Sequence, residues 1–344
     1  MTSNHKKLVL LIGVAASMLM MWWALRDTDT DRILSALKTA NYWLSVPLLL
    51  CYMTFFVLKA IRWRLLIRPM KVTTTKTLIA PMMLGFFGNN ILPAHLGDFI
   101  RMYLGARALG LRSAQILGTL ILERVFDVLA IVMLFEIALI FGGFALPEVS
   151  SIQVVIEIVA VALLLLLLSY VLWTPVFVKV IDKLLFFVPR HWRAVIANQM
   201  QLSASGLATV RSPRLLFPIL LNSIVQWAIA GLAIYISLEA VGLDLSVTAA
   251  IVVLTATVFA VMLPAAPGFF GAVQLAFILT LTPYGVSEDM AFAASVYYHV
   301  LTYSAVTLFG FYLIKRLGYN ISRLQDDTES SMQSAMSSKP GNQD

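Results

Sequence analysis

The residues best suited to chemistry lie in a 13-residue segment within an apolar part of the chain. The segment combines amides, an acid, a base and a histidine with a proline and a glycine: Asn89, Asn90, Pro93, His95, Gly97, Asp98 and Arg101. Pro and Gly interrupt helices, and the free N–H groups of the helix that follows favour an anion. We therefore predict a binding or gating site for an anionic group, with Asp98 and Arg101 paired on one helix face. The alternative is that these groups only satisfy one another within a broken helix.

A second charged group consists of Glu123, Arg124 and Asp127 and lies in a longer apolar run. Glu123 and Asp127 share a helix face, and Arg124 can pair with Asp127 three residues later. Charges at membrane depth are costly and tend to face a cavity, a partner or a transport route. We expect either a binding or gating role, in which the acids also carry protons, or an ion pair at the membrane boundary that positions the helix.

A third group repeats the helix-breaking pattern in the second half of the chain. It consists of Pro264, Pro267, Gly268 and Gly271, with His299 further along. Because histidine titrates near neutral pH, His299 is a candidate proton carrier within a second binding or gating region. A buried histidine that only makes hydrogen bonds is the alternative.

The elements that hold these groups are membrane helices, as the composition indicates. Apolar residues make up 60% of the 344-residue chain and charged residues 12%, against about 25% charged in soluble domains. This excludes a soluble enzyme, a disordered chain and a free nucleic-acid binder. No metal-ligand cluster, nucleotide loop or catalytic motif is recognisable, so we predict no metal, no cofactor and no enzymatic activity. Six transmembrane helices are predicted in the apolar stretches 8–25, 43–58, 119–144, 152–172, 214–238 and 291–314.

The distribution of positive charge predicts the topology. Most of the 25 Lys and Arg residues lie in segments that the apolar runs place on one side, which indicates that both termini are cytoplasmic. The interrupted stretches 76–93 and 247–282 then begin and end on the same side as re-entrant hairpins. Residues 92–97 match residues 263–268, so we predict two inverted repeats, about 43–144 and 214–314. The fold expected is an all-α polytopic membrane protein with six transmembrane helices and two re-entrant helical hairpins.

The remaining segments lie at the periphery of a membrane domain that spans residues 1–324. The pattern of residues 174–188 predicts a helix that lies on the inner leaflet. Arg62-Trp63-Arg64 predicts an anchor at the same surface. For both segments the alternative is a plain cytoplasmic loop. Residues 325–344 predict a disordered cytoplasmic tail. Asp27, Asp29 and Asp31 could chelate a divalent ion, although a solvated outer loop explains them equally.

At these motifs the chain resembles the flippase-like membrane domain of bacterial lysylphosphatidylglycerol synthases. The resemblance rests on Asn90-x-x-Pro93-x-x-x-Gly97-Asp98-x-x-Arg101, Glu123-Arg124-x-x-Asp127 and Pro264-x-x-Pro267-Gly268-x-x-Gly271, and covers about residues 8–316. It implies two inverted repeats and transport of lipids between leaflets. His299 stands where the family usually has Arg, which weakens the case for an anionic-headgroup contact there. About 28 residues follow Arg316, too few for the synthases' aminoacyl-transferase domain, so lysine transfer is not expected.

Together these observations predict a lipid flippase or translocase of the bacterial inner membrane, acting on a phospholipid or a polyprenyl-linked lipid. Without an ATP-binding motif, movement would be downhill or coupled to an ion gradient. A membrane glycosyltransferase that uses a polyprenyl-phosphate sugar and the Asp27–Asp31 run is one alternative. A non-catalytic partner of envelope-lipid biosynthetic enzymes is another. The expected partners are membrane lipids and such enzymes, not nucleic acid, and self-association stays open.

Overall fold

The computed structural model describes residues 3–92, 95–142, 173–184, 212–262 and 267–319, with isolated residues between 158 and 200. Within that part of the chain every regular element is a helix. Several predictions fall outside the described residues. They concern Pro93, Pro264, nearly all of the stretch 152–172, the end of the proposed surface helix at 185–188 and the tail 325–344.

Eleven helices lie within the described residues. They are α1 (Ser3–Leu25), α2 (Thr30–Thr39), α3 (Ser45–Ile67), α4 (Thr75–Ile91), α5 (Leu96–Leu109), α6 (Ser113–Gly142), α7 (Thr174–Leu184), α8 (Pro213–Ala240), α9 (Val247–Met262), α10 (Ala272–Leu281) and α11 (Glu288–Leu317). Single 3₁₀ turns occupy Tyr42–Leu44, Pro267–Phe269 and Thr282–Tyr284.

Four described segments are long and apolar enough to cross a membrane, namely Tyr42–Ile67, Arg214–Ala240, Pro267–Tyr284 and Glu288–Leu317. Three of them coincide with predicted transmembrane stretches. Pro267–Tyr284 instead covers the end of the second interrupted stretch. The described part of the chain is therefore all-helical and has several candidate transmembrane helices. The count of six crossings and the re-entrant hairpins stay predictions.

Each interrupted stretch belongs to a pair of short helices separated by a break, and the first pair continues past the predicted end at residue 93 to Leu109. In the first pair, α4 and α5 approach so closely that a Cβ on Gly97 would overlap the Gly85 carbonyl oxygen. A Cβ on Gly88 would lie 2.8 Å from the Gly97 Cα atom. The glycines therefore allow backbone-to-backbone packing. With 17 and 14 residues, α4 and α5 span about 25 and 21 Å, less than the roughly 30 Å of a bilayer core.

The described halves have the same order of elements. A long helix (α3 or α8) precedes a broken pair (α4–α5 or α9–α10), and a 30-residue helix follows (α6 or α11). The long helices α3 and α8 are antiparallel. The N–H of Asn41 donates to the Ala240 carbonyl at one end, and Arg62 contacts Ser223 toward the other. The two halves share this order of elements, while the inverted repeats stay a prediction.

One peripheral prediction is wrong. Helix α3 continues past the predicted end at residue 58 to Ile67, and the side chains of Arg62 and Trp63 are completely buried within the protein. They are therefore neither a surface anchor nor part of a cytoplasmic loop. Helix α7 does coincide with the predicted surface helix as far as residue 184, and it exposes Val176, Lys179, Val180 and Lys183.

Candidate functional site

A buried cluster of charges joins α3, α5, α6 and α8. At its centre Arg101 makes two hydrogen bonds to the Glu123 carboxylate, at 2.9 and 2.7 Å. Lys59 Nζ lies 2.9 Å from the same carboxylate. This fork geometry is the strong form of an arginine–carboxylate pair, and it links a helix of the first hairpin to the long helix α6.

Asp127 is the second buried acid of the cluster. Its Oδ1 atom accepts hydrogen bonds from Arg62 Nη2 at 2.6 Å and Trp227 Nε1 at 2.8 Å, and its Oδ2 atom accepts one from Lys59 at 3.2 Å. Arg62 also donates to the Ser223 hydroxyl. Because Ser223 and Trp227 belong to α8, this acid connects the two halves of the molecule.

The pairs expected within single helices do not form. Arg101 pairs with Glu123 rather than Asp98, and Asp127 takes its cations from α3 rather than from Arg124. Arg124 instead donates to Asp98 at 3.1 Å, and Asn89 donates to the other oxygen of that carboxylate. Each acid finds its cation on another helix because the helices are in close contact there.

Lys59 is enclosed by aromatic rings as well as by acids. Its Nζ atom lies 5.6 Å from the ring centre of Phe55, 5.7 Å from that of Phe86 and 5.9 Å from that of Trp227. The Arg101 guanidinium similarly covers the Trp63 ring at 4.1 Å. These contacts add cation–π stabilisation to the ion pairs and fix the positions of the cations.

Among the described residues of this cluster, four cations meet three carboxylates, which leaves one positive charge in excess: Lys59, Arg62, Arg101 and Arg124 against Asp98, Glu123 and Asp127. Most of these side chains are at most 5% exposed. Arg124 and Asp98 differ, with 47% and 35% of their side chains exposed. The outer pair is therefore the accessible part of the cluster.

The corresponding region of the second half contains a hydrogen-bonded network without charges. The Gln274 amide oxygen accepts the Gly271 N–H at 2.8 Å, so its nitrogen faces His299 Nδ1 at 3.2 Å and donates to it. His299 Nε2 then carries the proton and donates to the Gly268 carbonyl at 2.8 Å. His299 is thus a neutral tautomer with both nitrogens engaged, as in the hydrogen-bonding alternative.

The breaks of the two hairpins meet inside the molecule. The rings of His95 and Phe269, one from each break, are 5.4 Å apart. Asn90, at the end of α4, donates to the Tyr303 carbonyl and the Thr307 hydroxyl of α11. The first hairpin is therefore attached to the second half at its tip.

A cavity of about 510 Å³ lies between the two halves at this level. Its first wall is polar, with Lys59, Asp98, Arg124, Asp127, Asn89, Asn90 and His95. Its other walls are mostly aromatic and aliphatic, with residues such as Leu254, Val261, Val273 and Val306, and His299 lies among them. The cavity therefore offers a charged end and an apolar remainder to one ligand.

The structure brings most of the predicted site residues to this region. Asn90, Asp98, Arg124, Asp127 and His299 line the cavity, and Arg101 and Glu123 lie behind it, while Gly97, Pro267, Gly268 and Gly271 shape the breaks. Lys59, Arg62 and Trp227 were not predicted as site residues. If the predicted helix had been extended past residue 58, Lys59 and Arg62 would have been seen to share a helix face, because they are three residues apart.

The acidic run Asp27–Asp31 has local structural partners. Asp27 pairs with Arg26, and Asp29 caps α2 by accepting the Asp31 N–H while its own N–H donates to Asp289. Within the part of the chain that the structure describes, no group of three acidic, histidine or cysteine side chains could hold a metal ion.

Comparisons with known proteins agree with the resemblance noted in the motifs. The family described as the lysylphosphatidylglycerol synthase TM region matches residues 10–310. The UPF0104 membrane protein MJ1078 of Methanocaldococcus jannaschii is 26% identical over 235 residues, which cover 67% of this chain and 95% of that protein. The UPF0104 membrane protein PH1989 of Pyrococcus horikoshii is 20% identical over 329 residues, 90% of this chain and 96% of that protein.

Proposed function

Since this chain belongs to the family of lysylphosphatidylglycerol synthase transmembrane regions, we propose that it is a lipid translocase that moves phosphate-bearing lipids between the leaflets of its membrane. The observation that carries the proposal is the cavity between the halves, which places accessible charges beside aromatic and aliphatic walls. A lipid needs both environments, because its headgroup is charged and its chains are apolar.

The charge of the cluster favours an anionic phosphate. One positive charge is in excess, and a monoanionic headgroup would neutralise it within a medium of low dielectric constant. Arg124 is the cation in position to make the contact, because its guanidinium is exposed to the cavity and makes a single hydrogen bond to Asp98. Lys59, Arg62 and Arg101 are occupied by buried acids and hold the site in place.

The architecture supports movement of the bound lipid. Two broken hairpins that meet at their tips, in halves with the same order of elements, are the parts from which alternating-access transporters are built. We propose that the hairpins are re-entrant, that the halves are inverted repeats, and that both termini are cytoplasmic in a bacterial inner membrane. Movement would be downhill or coupled to an ion gradient.

We also propose that the chain transports without changing the lipid chemically. The glycosyltransferase alternative relies on Asp27, Asp29 and Asp31, and two of these acids already have structural partners nearby. The alternative of a partner subunit predicts that charge removal in the cavity has no effect on lipid movement. The transport experiment therefore separates it from the proposal.

The experiment measures leaflet exchange of fluorescent phosphatidylglycerol in vesicles of phosphatidylethanolamine and phosphatidylglycerol. The purified protein should accelerate exchange, and Arg124→Gln should slow it about tenfold or more, as expected for loss of a charge-assisted hydrogen bond. Arg107→Gln is the matched control, because Arg107 is exposed on α5 outside the cavity. Exchange no faster than in protein-free vesicles, or an Arg124→Gln rate equal to wild type, would contradict the proposal.

Topology is tested by labelling single cysteines in a Cys51→Ser background. Val72→Cys and Arg112→Cys, which flank the first hairpin, should react from the cytoplasm, and Asp244→Cys from the opposite side. All three native positions are exposed. Labelling of residues 72 and 112 from different sides would show that the first hairpin crosses the membrane.

A further inference from the structure

Two residues with an unusual backbone lie in the breaks of the two hairpins. Among the described residues, His95 and Phe269 are the non-glycine residues with positive φ, 54° and 60° respectively. The left-handed region is unfavourable for residues with a Cβ, and most of all for bulky ones. Such a backbone persists where the surrounding structure enforces it, and it is common at switch regions and ligand clamps.

These two residues are also in contact with each other. Their rings are 5.4 Å apart, and both line the cavity. The chain next to each of these residues is attached to α11. Asn90 attaches the end of α4 to α11, and His299 attaches the second break by its hydrogen bond to the Gly268 carbonyl. Two unfavourable conformations are thus maintained on both sides of a single ring-to-ring contact.

We infer that the contact between His95 and Phe269 is the gate of the lipid route, closed in this structure and opened when the hairpin tips separate. The inference rests on the proposed function. The charged wall of the cavity belongs to the first hairpin and its neighbours, whereas Phe269 begins the wall of the second hairpin. In this proposal a headgroup that moves from one hairpin to the other passes the point where the two breaks meet.

The ring contact and the positive φ values together explain how such a gate could open and close. The ring contact favours the closed state, and the left-handed backbone at both residues opposes it. A closed state that is favoured only slightly can open when a headgroup competes for the same space.

The test uses the same exchange assay with four single variants, His95→Ala, His95→Gly, Phe269→Ala and Phe269→Gly. Loss of a ring pair should weaken the closed state and accelerate exchange about two- to tenfold in every variant. Phe311→Ala is the matched control. It removes a ring contact with Phe87 at 4.9 Å, and Phe311 does not line the cavity. Its exchange rate should equal that of the wild type.

Comparison of the alanine and glycine variants separates the ring from the backbone. His95→Gly should melt at a higher temperature than His95→Ala and exchange more slowly than it, because glycine adopts positive φ readily and so removes the backbone strain that opposes the closed state. If only the glycine variants accelerate exchange, backbone freedom controls the rate and the gate is wrong. Melting curves also identify any variant that fails to fold, and the remaining variants then decide.

The double variant His95→Ala/Phe269→Ala tests whether the two rings act as one gate. Its exchange should be no faster than that of the faster single variant, because either substitution alone removes the contact. Multiplicative acceleration would show two independent effects and overturn the inference. Unchanged or slower exchange in the single variants would also overturn it. The proposed function fails on different outcomes, namely a wild-type protein that does not accelerate exchange or an Arg124→Gln variant that exchanges at the wild-type rate.

Discussion

Helices α6 and α11 occupy corresponding places in the two halves. Each has 30 residues and begins three residues after a left-handed glycine, Gly110 or Gly285. At the positions where α6 carries Glu123, Arg124 and Asp127, α11 carries Tyr298, His299 and Thr302. Around these positions the first half is therefore held together by buried charges, and the second by hydrogen bonds between neutral groups.

We infer from this difference that the two halves have different roles. The first half supplies the excess positive charge and the exposed Arg124, so it is the half suited to a phosphate. The second half supplies a neutral network around His299 that holds its break in a defined shape. A common arrangement of helices thus tolerates very different polar interiors.

Removal of the Glu123 carboxylate should cause the largest loss of stability, and comparison with a change in the second half should distinguish the two halves. Glu123→Gln leaves Arg101 and Lys59 buried without their shared carboxylate, so we expect a loss of about 3–5 kcal/mol in the free energy of unfolding. Gln274→Leu in the second half leaves only neutral groups unpaired and should cost about 1–3 kcal/mol. Denaturant titration in mild detergent measures both values.

The exposed acid Asp244 provides the control, and Asp244→Asn should change stability very little. Equal losses for Glu123→Gln and Gln274→Leu would contradict the distinction between a charged and a neutral half.

The glycines in the breaks allow a second comparison. Gly97→Ala should cost about 3 kcal/mol, because the new Cβ would overlap the backbone of α4, which has no room to move. Gly268→Ala should cost about 2 kcal/mol, because its Cβ would meet the ring edges of Phe270 and Tyr303 at 2.8 Å and its φ is 77°. The same denaturant titration shows which of the two variants loses more free energy of unfolding.

Gly285→Ala measures the cost in stability of a positive φ alone, without steric overlap. Its φ is 78°, and open space surrounds the position of a Cβ. We expect a loss of about 1 kcal/mol, the smallest of the three. A Gly97→Ala variant as stable as Gly285→Ala would show that the first hairpin is not packed backbone to backbone.

The smallest effect is expected outside both halves, at the start of α2. Asp29→Ala removes a helix cap and should lower stability by about 1 kcal/mol, whereas Asp27→Ala removes only an exposed pair with Arg26 and should cost less than that. The melting temperature of the wild type should be the same with Mg²⁺ and with a chelator. If Mg²⁺ raises the melting temperature of the wild type but not that of Asp29→Ala, the result would instead support the glycosyltransferase alternative.

Local features of the sequence were sufficient to predict most of the helices and both breaks. Apolar runs indicate membrane helices because each residue contributes to the transfer into lipid independently of its distant neighbours. Gly268 and Gly271 mark the second break because their effect on the backbone is local, whereas Gly97 serves the packing of α5 against α4. The correspondence of Gly110 with Gly285 follows from the same order of elements in the two halves.

The partners of the charges were decided by the tertiary structure. Sequence spacing predicted Asp98 with Arg101 and Arg124 with Asp127, but Arg101 binds Glu123 22 residues away, and Asp127 binds Arg62 65 residues away. Within one helix these pairs are worth only a few tenths of a kcal/mol, whereas an unpaired charge in the protein interior costs several. The packing of helices therefore determines which pairs form. The contact between His95 and Phe269 depends on it in the same way, because the two breaks meet only after both halves have folded against each other.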